Sequence, residues 1–390
     1  MIQKLTLGEI IPKKTWLRLA ITWIVVLLFS IYGHDVMQGT MSTGTAIAVF
    51  LLLLATIITA AFGVVKEADE LAHKLGEPYG TLILTLSIVS IEVILIAAVM
   101  LGPGDNATIG KDSIFSVMMI IMNLVMGLCL LAGSLKFGEQ EYNAQGSLAY
   151  HSMIIMLGGI SMMLPNFITG AGNGEFSFVQ AIVLSSMVAV LYGFFLYFQM
   201  TTYRHHYVQP AVGMMEIRYA EAQKEKEAAA QDQLTAPKDF RELFIRSIVL
   251  LGMILPIVLL AHHMAVVVDF GIKAAQLPPL LGGVLIAIIV FTPESMTAVK
   301  AALNNEFQRA INLCHGAFVS TVGLTVPAVL VVGLIADKTV RFGLAGYETI
   351  LFVVTLLLSL MTFLGRRTSP ILGLMHILLF IVFIMLIFYP

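Results

Sequence analysis

Charge is scarce in this chain of 390 residues, where charged side chains make up 12%, against about 25% in an average soluble domain. The net charge of −2 comes without a basic stripe, which excludes a nucleic-acid partner. Both cysteines, Cys129 and Cys314, lie in apolar stretches, so we interpret them as small apolar side chains and expect neither a disulfide nor a metal pair. No HExxH, GxSxG or Walker-type motif occurs, so we expect neither an enzyme nor a cofactor.

Apolar residues dominate the sequence instead, at 58% of the chain. A helix needs about 20 apolar residues to cross the hydrocarbon core of a membrane, and eleven runs are long enough. The sequence therefore predicts an all-α polytopic membrane protein. The predicted spans are Trp16–Gly33, Thr45–Val65, Tyr79–Leu101, Ile114–Leu135, Ala149–Phe167, Phe178–Met200, Leu243–Val267, Pro279–Lys300, Ala310–Ile335, Leu344–Leu364 and Ile371–Tyr389.

Basic residues are distributed unevenly between the two sides of these spans. If the N-terminus is cytoplasmic, all but four of the 22 basic residues fall on the cytoplasmic side. The exceptions are Lys111, Lys273, Lys338 and Arg341. Since cytoplasmic loops hold the excess of Lys and Arg, we predict a cytoplasmic N-terminus and a C-terminus outside. No small-residue cleavage site follows the first span, so we expect it to stay as a helix.

One segment is clearly hydrophilic, residues 201–242, and it separates two groups of five spans. Its run EIRYAEAQKEKEAAAQDQL favours a solvated helix that serves as a cytoplasmic connector or as a regulatory element. Five spans per half is an odd number, so the halves, residues 44–200 and 243–390, must have opposite orientations. We therefore predict an N-terminal segment with one extra helix, residues 1–43, and two inverted five-helix repeats, an arrangement found in transporters.

The second span of each half contains one acidic residue at a similar depth. Residues 82–97 read LILTLSIVSIEVILIA, and residues 285–300 read LIAIIVFTPESMTAVK. Aligning Glu92 with Glu294 also aligns Ser90 with Thr292. An acid at the centre of a membrane helix costs about 2.5–3.5 kcal/mol even on insertion-based scales, so we predict a function for both acids. The alternative is a neutral carboxyl that is hydrogen-bonded to a neighbouring helix.

The two acids are predicted to share one cation and proton site near the middle of the membrane, where inverted repeats meet. The other predicted ligands are four hydroxyl side chains, Ser87, Ser90, Thr292 and Ser295, and such an oxygen shell suits Ca2+ or Na+. Pro293 lacks an amide hydrogen, so we expect it to interrupt the helix and free the carbonyl groups of residues 289–292. Protons and the cation compete for the same carboxylates, so alternating access of the loaded site would exchange one for the other.

Other polar residues in or near the spans have two interpretations each. Asn123 and Ser320 line the same cavity or hold helices together through hydrogen bonds. His315 is a hydrogen-bonded buried histidine or a proton relay. A polar cluster between the second and third spans is a solvated loop or a vestibule that attracts cations and senses pH. The predicted vestibule residues are Glu70, His73 and Glu77.

Two stretches around the acids read HKLGEPYGTLILTLSIVSIE and FTPESMTAVKAALNNEFQRAINLCHGAFVSTVGLTVPAV. They resemble the calcium/cation antiporter superfamily, above all its ChaA-type bacterial cation/proton exchangers, and the resemblance extends over residues 71–327. It implies one extra helix plus two inverted five-helix repeats, with Glu92 and Glu294 as the repeat acids, and exchange of calcium, sodium or potassium for protons. A Gly-Asn pair commonly precedes each acid in the related branches, whereas this chain has Ile88-Val89 and Val290-Phe291.

The predicted function is therefore secondary transport, with Ca2+ as the first candidate cation, protons as the counter-ion, and Na+ or K+ as alternatives on the same site. A cation channel or a metal-sensing receptor is the alternative from another class, but twinned acids in inverted halves favour an alternating site within one chain over a continuous pore. The expected partners are the cation, protons and the lipid bilayer, and a homo-oligomer is also compatible. The resemblance to bacterial exchangers implies the inner membrane.

Overall fold

The computed structural model describes residues 10–38, 42–75, 79–102, 106–169, 172–210 and 240–389. Eleven long helices occur in these ranges, one for each predicted span, and the described residues contain no β-strand. The helices are α1 (Lys13–Gln38), α2 (Thr43–Leu75), α3 (Tyr79–Met100), α4 (Ile109–Phe137), α5 (Ala144–Asn166), α6 (Phe178–Met200), α7 (Phe240–Ala274), α8 (Leu280–Leu303), α9 (Phe307–Ile335), α10 (Gly346–Phe363) and α11 (Pro370–Phe388). The predicted all-α polytopic fold is confirmed.

Two helices are much longer than the apolar runs that predicted them. α2 has 33 residues and α7 has 35. The interpretation of the polar cluster after the second span as a loop is therefore wrong for Glu67 and Glu70, because both lie within α2. Glu242 and Arg246 likewise lie within α7. The helix predicted for residues 216–234 lies outside the described residues.

The helices form two compact units. Unit 1 consists of Met1–Gly102 and Glu216–Ala275, and therefore contains α1, α2, α3 and α7. Within it α2 packs against α7, and both also contact α1 and α3. Gly63 of α2 lies against Met253 of α7, and the Trp23 indole of α1 donates a hydrogen bond of 3.0 Å to the Gly252 carbonyl. The glycine thus lets the two long helices approach each other closely.

Unit 2 consists of Pro103–Met215 and Gln276–Pro390, and contains α4 to α6 and α8 to α11. α4 is its central helix and contacts α8 and α11, while α9 packs against α5, α6 and α8. Each unit takes helices from both halves of the sequence, so the units do not coincide with the two predicted repeats. The division into inverted repeats stays a prediction.

Three helices of unit 2 contain a short π-helical segment. The segments are Met119–Val125 in α4, Gly159–Met163 in α5 and Thr321–Thr325 in α9. A π turn is rare and often occurs at a functional site. Asn123 lies inside the first segment and Ser320 directly precedes the third. The hydropathy pattern contains no signal for these segments, since a π turn changes the helical register without changing the polarity of the run.

Hydrogen bonds between connecting segments close one end of unit 2, which we call the Gln140 end. It is formed by residues 138–143, 201–210, 304–306 and 364–369. The Gln140 side chain donates to the Ala302 carbonyl at 2.9 Å, and its backbone amide donates to Thr368 Oγ1 at 2.9 Å. The backbone amide of Gln308 donates to Gln209 Oε1 at 2.7 Å. These bonds supply partners to backbone groups that the helix ends leave unsatisfied.

The opposite end of unit 2, which we call the Lys111 end, is closed by a buried ion pair. Lys111 Nζ lies 2.7 Å from Glu348 Oε2 and 3.0 Å from Asp112 Oδ1, and all three side chains are buried. Glu348 Oε2 also accepts the backbone amide of Ala345 at 2.7 Å. A buried lysine needs such partners, because an unpaired charge in a low-dielectric interior is very costly.

Helix α8 approaches the start of α4 so closely that only glycine fits at the contact. A Cβ atom at Gly283 would lie 2.6 Å from both the Asp112 carbonyl oxygen and the Ser113 amide nitrogen. Since these are backbone atoms, a larger side chain would push the two helices apart. Gly193 of α6 is a contrasting case, because a Cβ there would meet no atom within 4 Å.

We expect Gly283→Ala to destabilise unit 2 by about 1–3 kcal/mol through overpacking. The matched substitution Gly193→Ala should leave stability unchanged or raise it by up to about 1 kcal/mol, because alanine favours helix. Both cysteines of the chain are buried in unit 2, so a thiol-reactive dye reports its thermal unfolding in detergent. Equal thermal unfolding midpoints for the two variants would contradict the close contact between α8 and α4 at Gly283.

Candidate cation and proton site

Glu92 lies in α3 of unit 1, and its side chain is fully buried. At ~1.5 Å per residue it is about 20 Å from the start of α3 at Tyr79 and about 12 Å from its end at Met100. The helices that pack against α3 within unit 1 are α2 and α7. A carboxyl enclosed at this depth agrees with the predicted function for Glu92.

The two serines predicted to assist Glu92 differ in their placement. Ser87 is buried, whereas Ser90 is exposed and donates its hydroxyl hydrogen to the Leu86 carbonyl at 2.6 Å. Residues two apart on a helix do not face the same side, so Ser90 and Glu92 lie on different faces of α3. Ser90 can therefore not ligate a cation held by Glu92 from the same helix face, and its predicted role is weakened.

Glu294 lies in α8 of unit 2 and is less enclosed than Glu92, with partial exposure. It is about 21 Å from the start of α8 at Leu280 and about 14 Å from its end at Leu303. Its carboxyl is close enough to Cys314 of α9 to interact electrostatically with the thiol, and the Cys314 thiol in turn contacts Cys129 of α4. The two cysteines, expected to be separate small side chains, therefore meet beside the acid and are both free thiols.

Hydroxyl side chains around Glu294 donate to carbonyls of their own helix. Thr292 donates to the Ile288 carbonyl at 2.5 Å, and Ser295 donates to the Phe291 carbonyl at 2.7 Å. Each hydroxyl oxygen keeps its lone pairs for another partner. Thr292, like Ser90 in unit 1, is two residues from its acid and lies on a different face of the helix.

The expected interruption of α8 at Pro293 is wrong. The helix continues from Leu280 to Leu303 with the proline inside it. Pro293 still has no amide hydrogen for the Ile289 carbonyl, while Thr297 Oγ1 donates to the Pro293 carbonyl at 3.0 Å. The surrounding helices hold α8 together, so the proline removes one hydrogen bond without breaking the helix.

Asn123, one of the two predicted cavity residues, is fully engaged with neighbouring helices of unit 2. Its amide nitrogen donates to Thr355 Oγ1 at 2.9 Å, and its amide oxygen lies 3.1 Å from His376 Nδ1. The side chain is completely buried. These contacts match the alternative interpretation, in which Asn123 holds α4 against α10 and α11.

Ser320, the second predicted cavity residue, also has local partners. Its hydroxyl donates to the Ala317 carbonyl at 2.7 Å, and it hydrogen-bonds the side chain of Tyr192 in α6. Gly323, one turn further along, leaves room for the Tyr192 ring. Ser320 thus takes part in the packing of α9 against α6.

The polar residues at the end of α2 form a buried ion-pair network in unit 1. Arg246 of α7 lies 3.1 Å from Glu67 Oε2 and 3.0 Å from Glu242 Oε1, and all three side chains are buried. Glu67 Oε1 accepts the Thr15 hydroxyl of α1 at 3.0 Å. The predicted vestibule residue Glu70 is 3.6 Å from the same guanidinium. The His73 side chain and Glu77 lie outside the described residues.

His315, which the sequence analysis considered alone, has a second histidine beside it. The ring of His151 in α5 lies with its centroid 4.7 Å from that of His315. His151 comes from a distant span, so spacing along the chain could not find the pair. Within the part of the chain that the structure describes, no three His, Cys, Asp or Glu side chains are grouped to hold a metal ion.

A cleft of about 520 Å3 lies between α5 and α6 of unit 2. Its lining is apolar apart from Gln180 and includes Met156, Leu164 and Leu191. Such a lining suits lipid chains or side chains and offers no oxygen shell to a cation. The cleft is therefore not a candidate for the cation site.

Comparisons with known proteins agree with this fold. The sequence pattern of the sodium/calcium exchanger protein family matches residues 45–201 and 246–389. The chain is 33% identical over 343 residues to the sodium-potassium/proton antiporter ChaA of Escherichia coli (strain K12), which covers 88% of this chain and 89% of that protein.

Two solved structures have a similar fold at low sequence identity. Native YfkE superposes with a TM-score of 0.69 at 15% identity, covering 96% of this chain and 100% of that chain. The H+/Ca2+ exchanger CAX superposes with a TM-score of 0.68 at 14% identity, covering 96% of this chain and 89% of that chain.

We expect Arg246→Gln to destabilise unit 1 by about 3–5 kcal/mol, because it leaves the buried Glu67 carboxylate without its cation, whereas Glu242 keeps Lys74 at 3.2 Å. The matched control is Arg309→Gln, which removes an exposed pair with Glu306 and should cost at most about 1 kcal/mol. Trp16 and Trp23 are the two tryptophans of the chain and both lie in α1, so tryptophan fluorescence reports unfolding of unit 1. A variant as stable as the control would show that the network contributes little.

Proposed function

Because the chain belongs to the sodium/calcium exchanger protein family, we propose that it exchanges Ca2+ for protons and that Glu92 and Glu294 bind both. The family itself establishes a multi-pass membrane antiporter of cations and not an enzyme. The alternatives of a channel and of a metal-sensing receptor are therefore dropped.

The matched position of the two acids in their helices is the observation on which this proposal depends. Glu92 is about 20 Å from the start of α3 and Glu294 about 21 Å from the start of α8, although the helices belong to different units. Each is the second helix of its sequence half. Two costly carboxyls at matching positions in their helices support a common task in ion binding.

The charge of the two acids favours a divalent cation. Two carboxylates neutralise one Ca2+, and two protons neutralise the same pair when the cation has left. The loaded and the protonated forms then have the same net charge, which lowers the cost of moving either form between the two faces of the membrane. Moving the ionised pair without a bound cation would cost much more free energy. The site therefore changes access only when it holds the cation or the protons, and this enforces exchange.

Sodium or potassium is a second candidate for the transported cation. The relative at 33% identity is named a sodium-potassium/proton antiporter, and the Gly-Asn pairs that precede the acids in related branches are replaced here by Ile88-Val89 and Val290-Phe291. Monovalent exchange at the same carboxylates would follow the same competition with protons.

The membrane orientation is part of this proposal. The excess of basic residues supports a cytoplasmic N-terminus and an inner-membrane location of the bacterial type. In that orientation the Gln140 end of unit 2 faces the cytoplasm and the Lys111 end faces outward. The proposed exchange needs only one chain. A homo-oligomer in which each chain works by itself is compatible with this arrangement.

In proteoliposomes with an internal pH dye, addition of Ca2+ should drive proton movement, and Glu92→Gln and Glu294→Gln should each reduce it to the level of empty liposomes. If both acids serve one step, the double variant should be no worse than either single variant. Lower pH should weaken apparent Ca2+ affinity by about tenfold per unit for each competing proton. Na+ and K+ are tested in separate arms.

The matched control is Glu306→Gln, which changes an exposed acid in the α8–α9 connection and should retain full exchange. Retention of exchange by either of the two acid variants would exclude that acid from the site. A response to Na+ or K+ without a response to Ca2+ would select the second candidate.

A further inference from the structure

Unit 2 contains three histidines within its membrane helices, His151 in α5, His315 in α9 and His376 in α11. All three side chains are fully buried. Titratable side chains inside a membrane are costly and mark ion or proton pathways. The proposed chemistry at the two glutamates uses none of these histidines, so they need a separate explanation.

His315 lacks the hydrogen bonds that a buried imidazole ordinarily makes. Neither ring nitrogen has a hydrogen-bond partner within the described residues, although the Ile311 carbonyl lies near the ring one turn back. The ring is enclosed by His151, by Phe363 with centroids 4.8 Å apart, and by Tyr150 with centroids 6.2 Å apart. An unsatisfied buried polar group costs about 1–3 kcal/mol, so a purely structural role would favour an apolar side chain here.

His151 has partners that suit both its neutral and its charged form. One ring nitrogen, Nδ1, lies 2.7 Å from the Ser147 carbonyl, and the other, Nε2, lies 2.7 Å from Ser359 Oγ. The carbonyl can only accept, so Nδ1 bears a hydrogen, whereas the hydroxyl can donate or accept. The neutral ring accepts from Ser359, and the charged ring donates to it. Rotation of one hydroxyl therefore accommodates an added proton.

We propose that His151 and His315 form a proton-binding pair that is separate from the two glutamates and holds one proton at a time. In the uptake step the lone pair of His151 Nε2 takes a proton from a hydronium ion, which leaves water, and the Ser359 hydroxyl turns from donor to acceptor. Release is the reverse. A second proton is excluded because two imidazolium rings at 4.7 Å would repel each other.

A row of rings leads from the pair to the Gln140 end of unit 2. Tyr150 lies between His315 and Tyr207, with centroids 5.2 Å from the Tyr207 ring, and His205 and His206 follow at the surface with centroids 4.1 Å apart. Burial raises the pKa of Tyr207 to about 12, so this phenol stays neutral. Burial and the neighbouring His205 lower the pKa of His206. Tyr150 and Tyr207 therefore lie between the pair and the surface histidines at this end.

Other titratable groups near the pair come from four helices and from the Gln140 end of unit 2. They are Tyr150 of α5, His376 of α11, Tyr207 of the Gln140 end and, beside Cys314, Cys129 of α4 and Glu294 of α8. Glu294 is the acid of this group, and it interacts with the thiol of Cys314, which directly precedes His315 in α9. The pair is therefore also tested through the pH dependence of the proposed exchange, and this test rests on the proposed function.

The direct test is nitrogen NMR of protein with 15N-labelled histidines in lipid nanodiscs, between about pH 4 and 9. The signals of His151 and His315 are assigned by their loss in His151→Gln and His315→Gln. In the wild type these signals should together show one protonation step. In proteoliposomes both variants should shift the pH midpoint of cation-driven proton flux by about one unit or more. Ser359→Ala should move that midpoint to lower pH, because the charged ring loses a stronger hydrogen bond than the neutral ring does.

The matched control is His262→Gln, which changes a histidine in α7 of unit 1 and should leave both the NMR titration and the pH midpoint unchanged. A pair that does not titrate, or a Ser359→Ala midpoint equal to that of the wild type, would overturn the inference. Failure of the proposed function is recognised separately, because a wild-type protein without cation-driven proton flux would still give an NMR titration of the pair.

Discussion

The cost of placing an unpartnered polar group in hydrocarbon determines how this structure is built. Main-chain groups are satisfied within eleven helices, and the connecting segments of unit 2 pair with one another at its Gln140 end. Charged side chains obey the same constraint, since Lys111 is matched by Glu348 and Arg246 by Glu67. Against this background the His315 ring stands out, as do Glu92 and Glu294, which lie far from the ends of α3 and α8, and their presence needs a functional reason.

Sequence reasoning located the helices and the two acids because both depend on local composition. A run of about 20 apolar residues is sufficient evidence for a membrane helix, and a single acid inside such a run is visible without any structure. Helix ends were less accurate, since α2 and α7 continue as helices into polar segments that the hydropathy pattern assigns to water. The effect of Pro293 was also misjudged, because neighbouring helices stabilise a turn that the local sequence disfavours.

Contacts between distant parts of the chain could not be predicted in the same way. Cys129 meets Cys314, and His151 meets His315, across more than a hundred residues. The local sequence of a span does not show which other spans become its neighbours. The grouping of α7 with α1 to α3 in unit 1 is a further example, because the hydrophilic linker suggested a division between the two halves of the chain. The two structural units therefore do not coincide with the two halves of the sequence.

The length of α2 and α7 has a consequence for the membrane around unit 1. At ~1.5 Å per residue these helices are about 50 Å long, well beyond a hydrocarbon core of about 30 Å. Arg246 and Glu67 join the two helices near one end of each, so they must tilt or protrude together. The thickness of the bilayer then influences the tilt of α2 and α7, and a thinner bilayer would impose a larger common tilt on both helices.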